Sequence, residues 1–110
     1  GMSATASRNW KKQAAESMIY AFDFQDRLDG VDTLTGTPTV TGSPSGLTID
    51  PPVLNTSETT IRGETIPANQ GVLVRISSGT SGEDYRIECV CGTTNGDTLK
   101  GDQLLRVRDE

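Results

Sequence analysis

The alternation of apolar and polar positions predicts most of the elements in this chain. From Ser17 the period is two: Met18, Tyr20, Phe22 and Phe24 fall on one face, and Ile19, Ala21 and Asp23 on the other. Side chains of an extended strand point alternately to opposite faces, so this spacing predicts a strand with Tyr20, Phe22 and Phe24 turned into a core. The same period sets Val72, Val74 and Ile76 against Leu73 and Arg75, and Tyr85, Ile87, Cys89 and Cys91 against Arg86, Glu88 and Val90. A last strand over QLLRVRD turns Leu105 and Val107 inward, and Ile61 in SETTIRGETI lies between outward Thr60 and Arg62. In TLTGTPTVTGSPSGLTIDPPVLN, Thr37, Thr39 and Thr41 alternate with Val40 among four of the 5 prolines. Proline removes a ladder donor, so this stretch predicts short strands at a sheet edge.

Turn signals separate these runs. QDRLDGVD gives a turn with Leu28 as a plug, PANQG leads into VLVRIS, SGTSGED reads as a glycine-bearing hairpin connection, and Asn95 before Gly96 is the strongest short hairpin signal. About seven short strands with turns roughly every 8–12 residues predict an all-β chain, an antiparallel β-sandwich. There is no internal repeat and no strand–helix alternation, so a doubly wound fold is not expected. Residues 1–16 stand apart, polar except for Trp10 and without alternation. NWKKQAAES has the material for about two helical turns after an Asn9 cap, a length marginal in isolation. The expectation is an N-terminal arm over 1–16 and a single sandwich domain over 17–110. Gly1 reads as a residue left from expression, with natural numbering beginning at Met2.

Composition narrows the function. A chain of 110 residues, 33% apolar and 5% aromatic, has material for one thin core. The net charge of −5 and pI near 4.6 repel phosphate, and no Lys/Arg run with interleaved aromatics offers a nucleic-acid groove. No apolar run approaches the roughly 18–20 residues of a membrane span, and the amino terminus lacks the apolar region of a signal peptide. A soluble chain made in the cytoplasm, with no nucleic-acid or membrane partner, is expected.

Cys89 and Cys91 are the chain's 2 cysteines, and there are 0 histidines. Strand residues two apart place their Cα atoms roughly 6.5–7 Å apart, at or beyond the limit for an unstrained disulfide. A tetrahedral zinc site needs about four ligands. The pair is therefore predicted to be two free core thiols, formed in a reducing compartment. Without histidine, a hydrolytic site would need carboxylates, lysine or thiolate, and most acidic residues sit beside glycine, serine or threonine in turns, where they form turns or stay solvated. Asp23, Asp26, Asp29 and Asp32 are spaced by three, but the order fails the EF-hand pattern and leaves at most adventitious calcium. SSGTSGED lacks both the lysine and the helix of a phosphate loop. No catalytic residue, cofactor or metal is expected.

Two aromatic residues keep two readings each. Tyr85, just after a glycine-bearing turn, is either a tyrosine corner of an immunoglobulin-like sandwich or an ordinary core tyrosine. Trp10, beside Lys11 and Lys12, is either an interface anchor or a ring folded back over the open edge of its own sandwich.

The stretch NWKKQAAESMIYAFDFQDRLDGVDTLTG resembles the fibre-tail adaptors of tailed phages and prophages, small virion proteins. The resemblance lies in Trp10, Lys11, Tyr20, Asp23, Phe24, Leu28 and Gly30, and in the order of strand, glycine turn, tyrosine-led strand, threonine-rich turn and final strand over VLVRISSGTSGEDYRIECVCGTTNGDTLKGDQLLRVRD. It implies an immunoglobulin-like sandwich, made in the host cytoplasm and built into the virion, that joins other tail or fibre proteins through edge strands and the arm. Trp10, Lys11 and Lys12 are then the candidate interface, and Tyr20, Phe22, Phe24, Tyr85, Cys89 and Cys91 are structural. A monomer in isolation is compatible with this role. The competing reading is a sandwich that binds a surface glycan, which would need an exposed aromatic platform.

Overall fold

The strands with the clearest alternation supply the two inner faces of a β-sandwich. The computed structural model describes residues 9–110, so Gly1 and the first half of the expected arm lie outside the described residues. Ten strands follow one another there: β1 (Trp10–Lys12), β2 (Met18–Asp23), β3 (Leu34–Ser43), β4 (Leu47–Ile49), β5 (Val53–Leu54), β6 (Thr59–Ile61), β7 (Glu64–Ile66), β8 (Gly71–Ser78), β9 (Asp84–Thr93) and β10 (Thr98–Val107). A 3-10 turn, Gln25–Arg27, follows β2. One sheet has the order β1-β10-β9-β3 and the second β2-β8-β4, with β5 also paired to β8. β6 and β7 form a separate hairpin.

The core lies between the sheets. Tyr20, Phe22, Phe24, Val72, Val74 and Ile76 face Leu34, Tyr85, Ile87, Cys89, Cys91, Leu105 and Val107, all buried. Each such side chain contributes about 1.5–3 kcal/mol by leaving water. Leu28 packs against the rim as a partly buried plug. Both cysteines are buried and free. Burial, then the neighbouring Cys91 thiol, pushes Cys89 up to about 12 from 9.0, so the nucleophilic thiolate is scarce in the folded chain. With a chromogenic thiol reagent at neutral pH, no thiol is expected to react in the native protein and both after denaturation; fast native labelling would contradict this burial.

Several expectations change. The threonine- and proline-rich stretch forms three strands: the 10-residue β3 at the edge of the first sheet, longer than expected, and the short β4 and β5 on β8 in the second. The register of β3 against β9 shifts between Thr35 and Thr39, at a bulge that begins with Gly36 (φ 82°) and holds Pro38, which has no donor to place in the ladder. SETTIRGETI is two strands, because Arg62 and Gly63 both take positive φ, 52° and 82°, as a tight hairpin turn requires. The Asn95–Gly96 hairpin forms, but only Gly96 has positive φ, 91°. Gly96 N donates to Thr93 O (2.9 Å) and Thr93 N to Asp97 O (2.8 Å), a longer connection than the two-residue turn. SGTSGED is not a hairpin: β8 and β9 belong to different sheets, and the loop carries the chain across with Ser78, Gly79 and Gly82 at φ 66°, 101° and 99°. In place of helical turns after Asn9, β1 adds to the first sheet, parallel to β10, with Trp10 opposite Leu105. The open edge of β10 offers ladder partners that an isolated two-turn helix lacks.

Candidate interface

Three residues of β1 reach three environments. Trp10 is half-buried and stacks on Tyr20, ring centroids 4.5 Å apart and planes 13° from parallel, while Phe22 meets it edge-on at 4.9 Å. Its ring thus lies against its own sandwich. Lys12 is buried, and its ammonium donates to the carbonyls of Gln13 (2.7 Å), Ala14 (3.3 Å) and Ser78. Burial lowers its pKa, against the opposing pull of Glu16 and Asp109. Lys11, between them in the strand, is exposed.

Tyr20 ties β1 to the rest. Its hydroxyl donates to Lys11 O at 2.7 Å, so a side chain of the second sheet holds a carbonyl of the first. The guanidinium of Arg62, at the tip of the β6–β7 hairpin, lies 4.7 Å from the Tyr20 ring centroid and donates to Ile19 O at 3.0 Å. These bonds account for Arg62 holding a backbone conformation that side chains other than glycine rarely adopt.

Burial pushes Tyr20 up to about 12, with Arg62 pulling the other way. A group whose folded pKa exceeds its unfolded value stabilises the fold fully below the unfolded value, and that contribution disappears as pH climbs to the folded one. The window runs from 10.0 to about 12 for Tyr20 and from 9.0 to about 12 for Cys89. Lys12, with its lowered pKa, acts in the opposite sense below 10.5. Stability measured by denaturant titration is therefore expected to fall between pH 10 and 12 less steeply in Tyr20→Phe than in the natural chain; parallel curves would exclude Tyr20 as a source.

At the sheet-crossing loop, Tyr85 is buried and its hydroxyl accepts from Thr80 N at 3.0 Å, a bond to backbone five residues upstream. This is the bonding pattern of a tyrosine corner. At the far end of the sheet, Asp32 is buried and accepts from Thr94 Oγ1 (2.6 Å) and Asn95 N (3.0 Å), bonds that hold its carboxyl below the usual range. Of the acidic residues spaced by three, this one pins a loop to the β9–β10 hairpin. Among the described residues no group of three or more Cys, Asp or Glu is placed to hold a metal ion, and no helix is long and apolar enough to cross a membrane.

Two side chains with structural roles escaped the sequence reading. Buried Asn55 donates to Ile66 O (3.1 Å) and Pro67 O (2.8 Å) and accepts from Gln70 N (3.1 Å) and Gly71 N (2.8 Å), fastening β5 to the turn before β8. An asparagine after a proline-rich run reads as an ordinary loop residue, so its sequence carries no such signal. Arg62 likewise shows no turn signature beyond the glycine that follows.

The profile of the family Podophage GP4 fiber-tail adaptor protein gp77 matches residues 12–106, which run from the end of β1 into β10 and include every strand between. The chain belongs to this fibre-tail adaptor family. No curated protein and no solved structure matches it. β3 ends the first sheet on one side, and β1, held by Trp10, Lys12 and Tyr20, ends it on the other.

Proposed function

We propose that this chain is a non-enzymatic structural piece of a phage or prophage particle that joins tail and fibre components by protein–protein contact. The observation that carries the reading is the family match over 12–106. The edge position of β3 supports it, since an end strand offers unpaired backbone groups to which a partner strand can add. At the other edge Lys11 presents its charge to a partner while Trp10 and Lys12 hold β1 in position. The sandwich is read as immunoglobulin-like on the strength of Tyr85, and the chain acts in the virion after synthesis in the host cytoplasm. A glycan platform gains no support from the aromatic rings, which are buried or, for Trp10, half-buried. Quantitative mass spectrometry of purified particles tests the proposal. The chain should be present in a small fixed multiple relative to known tail proteins, and its absence from intact particles would overturn the reading.

A further inference from the structure

The outward face of the first sheet carries an unbalanced group of cations near β1. Elsewhere on this face charges pair across strands: Lys100 with Glu88 at 3.0 Å and Arg86 with Asp102 at 3.5 Å. Beside β1 the pattern breaks. Lys11 and Arg106 are register partners on the neighbouring parallel strands β1 and β10, which sets two like charges side by side on this face. Arg106 and Arg108 share one carboxylate, Asp84, at 3.7 and 2.8 Å. Among the described residues the Lys11 ammonium has neither an ion pair nor a hydrogen bond.

Nearby acids are already engaged. Glu16 Oε1 accepts from Gln13 N at 2.7 Å, and Asp109 Oδ1 accepts from Ala14 N at 2.9 Å. The groove that Lys11, Lys12, Arg106 and Arg108 line also takes in Glu16 and Glu110, and since the Lys12 ammonium is turned inward and Asp84 serves both arginines, Lys11 is the cation left to a partner. Two residues along β10 from Arg106, and on the same face by strand alternation, Leu104 is 37% exposed.

We propose that this groove seats an acidic segment of a partner protein, with carboxylates on Lys11 and Arg106 and an adjoining apolar side chain on Leu104. The inference rests on the connector reading above and names the chemistry of one partner. A carboxylate between the two cations relieves their repulsion and completes the pairing found on the rest of the face.

Zero-length carbodiimide cross-linking of intact particles, followed by peptide mass spectrometry, tests it on the natural chain. The expected product is an amide between Lys11 Nζ and an Asp or Glu side chain of a different particle protein. A chain present in particles whose Lys11 joins only its own sequence, or nothing, overturns the inference and leaves the connector reading standing. A chain absent from particles overturns both. In particles assembled with the Lys11→Glu, Arg106→Glu chain, copy number is expected to fall about tenfold. Arg86→Glu, which reverses an exposed and already paired cation, is expected to leave it unchanged. Equal incorporation of the double variant and the natural chain likewise overturns the proposal.

Discussion

Tyr20→Ala is expected to lower the unfolding free energy by about 3–5 kcal/mol, the range for emptying a large aromatic site in a packed core. Tyr20 is 0% exposed, with Trp10 stacked at 4.5 Å and the Arg62 guanidinium 4.7 Å from its ring centroid. Alanine removes the surface on which β1 and the β6–β7 hairpin both rest, as well as the hydroxyl that holds Lys11 O. Domains of this kind have total stabilities of about 5–15 kcal/mol, so the loss is a large share of the whole. Tyr20→Phe keeps the ring and should cost only about 1 kcal/mol, the net worth of one hydrogen bond. Urea denaturation of both variants at pH 7 separates stacking from hydrogen bonding. An alanine variant no weaker than the phenylalanine one would mean that the stack contributes nothing to stability.

Gly79→Ala should be nearly as damaging, by about 2–5 kcal/mol, because backbone strain and crowding act together there. Gly79 has φ 101°, and a Cβ on it would lie 3.0 Å from Leu47 Cδ2 and 3.1 Å from Val107 Cγ2. Leu47 belongs to the second sheet and Val107 to the first, so a methyl there presses on both, and each must shift by a few tenths of an ångström to admit it. Gly82→Ala is the matched control: φ is 99° and nothing lies within 4 Å of the added carbon. It should show the strain alone, about 1–3 kcal/mol. Thermal unfolding of the pair measures the difference, and equal losses would show that contact with Leu47 and Val107 carries no cost.

The inward faces were legible because strand geometry writes them directly into the order of residues. Tyr20, Phe22 and Phe24, then Val72, Val74 and Ile76, then Tyr85, Ile87, Cys89 and Cys91 are all buried in the structure. Pairing was less legible, because a glycine turn records that the chain reverses and not which sheet receives it. SGTSGED thus read as a hairpin although it joins two sheets. β1 was hidden for a related reason: three residues are too few to show a period, and the strand is stabilised by β10, Tyr20 and the carbonyls around Lys12 rather than by its own pattern. The same holds for the candidate interface. Lys11 and Lys12 are equivalent in sequence, and only the strand's orientation turns one ammonium to solvent and the other inward.

The position of β10 has a consequence for how the chain is made. Among the described residues it is the only strand that pairs with β1 and it also pairs with β9, so the first sheet has no centre without it. Joining Trp10 to Leu105 closes a loop of nearly the entire described chain, the kind of non-local contact whose entropy must be met before it is rewarded. On the ribosome, the second sheet can assemble while synthesis continues, but the tryptophan strand has no ladder partner until residues 98–107 have left the exit tunnel. A nascent chain cut short before Thr98 therefore leaves the backbone of its amino-terminal strand without a ladder, with only the contacts to Tyr20, Phe22 and Ser78 to hold it.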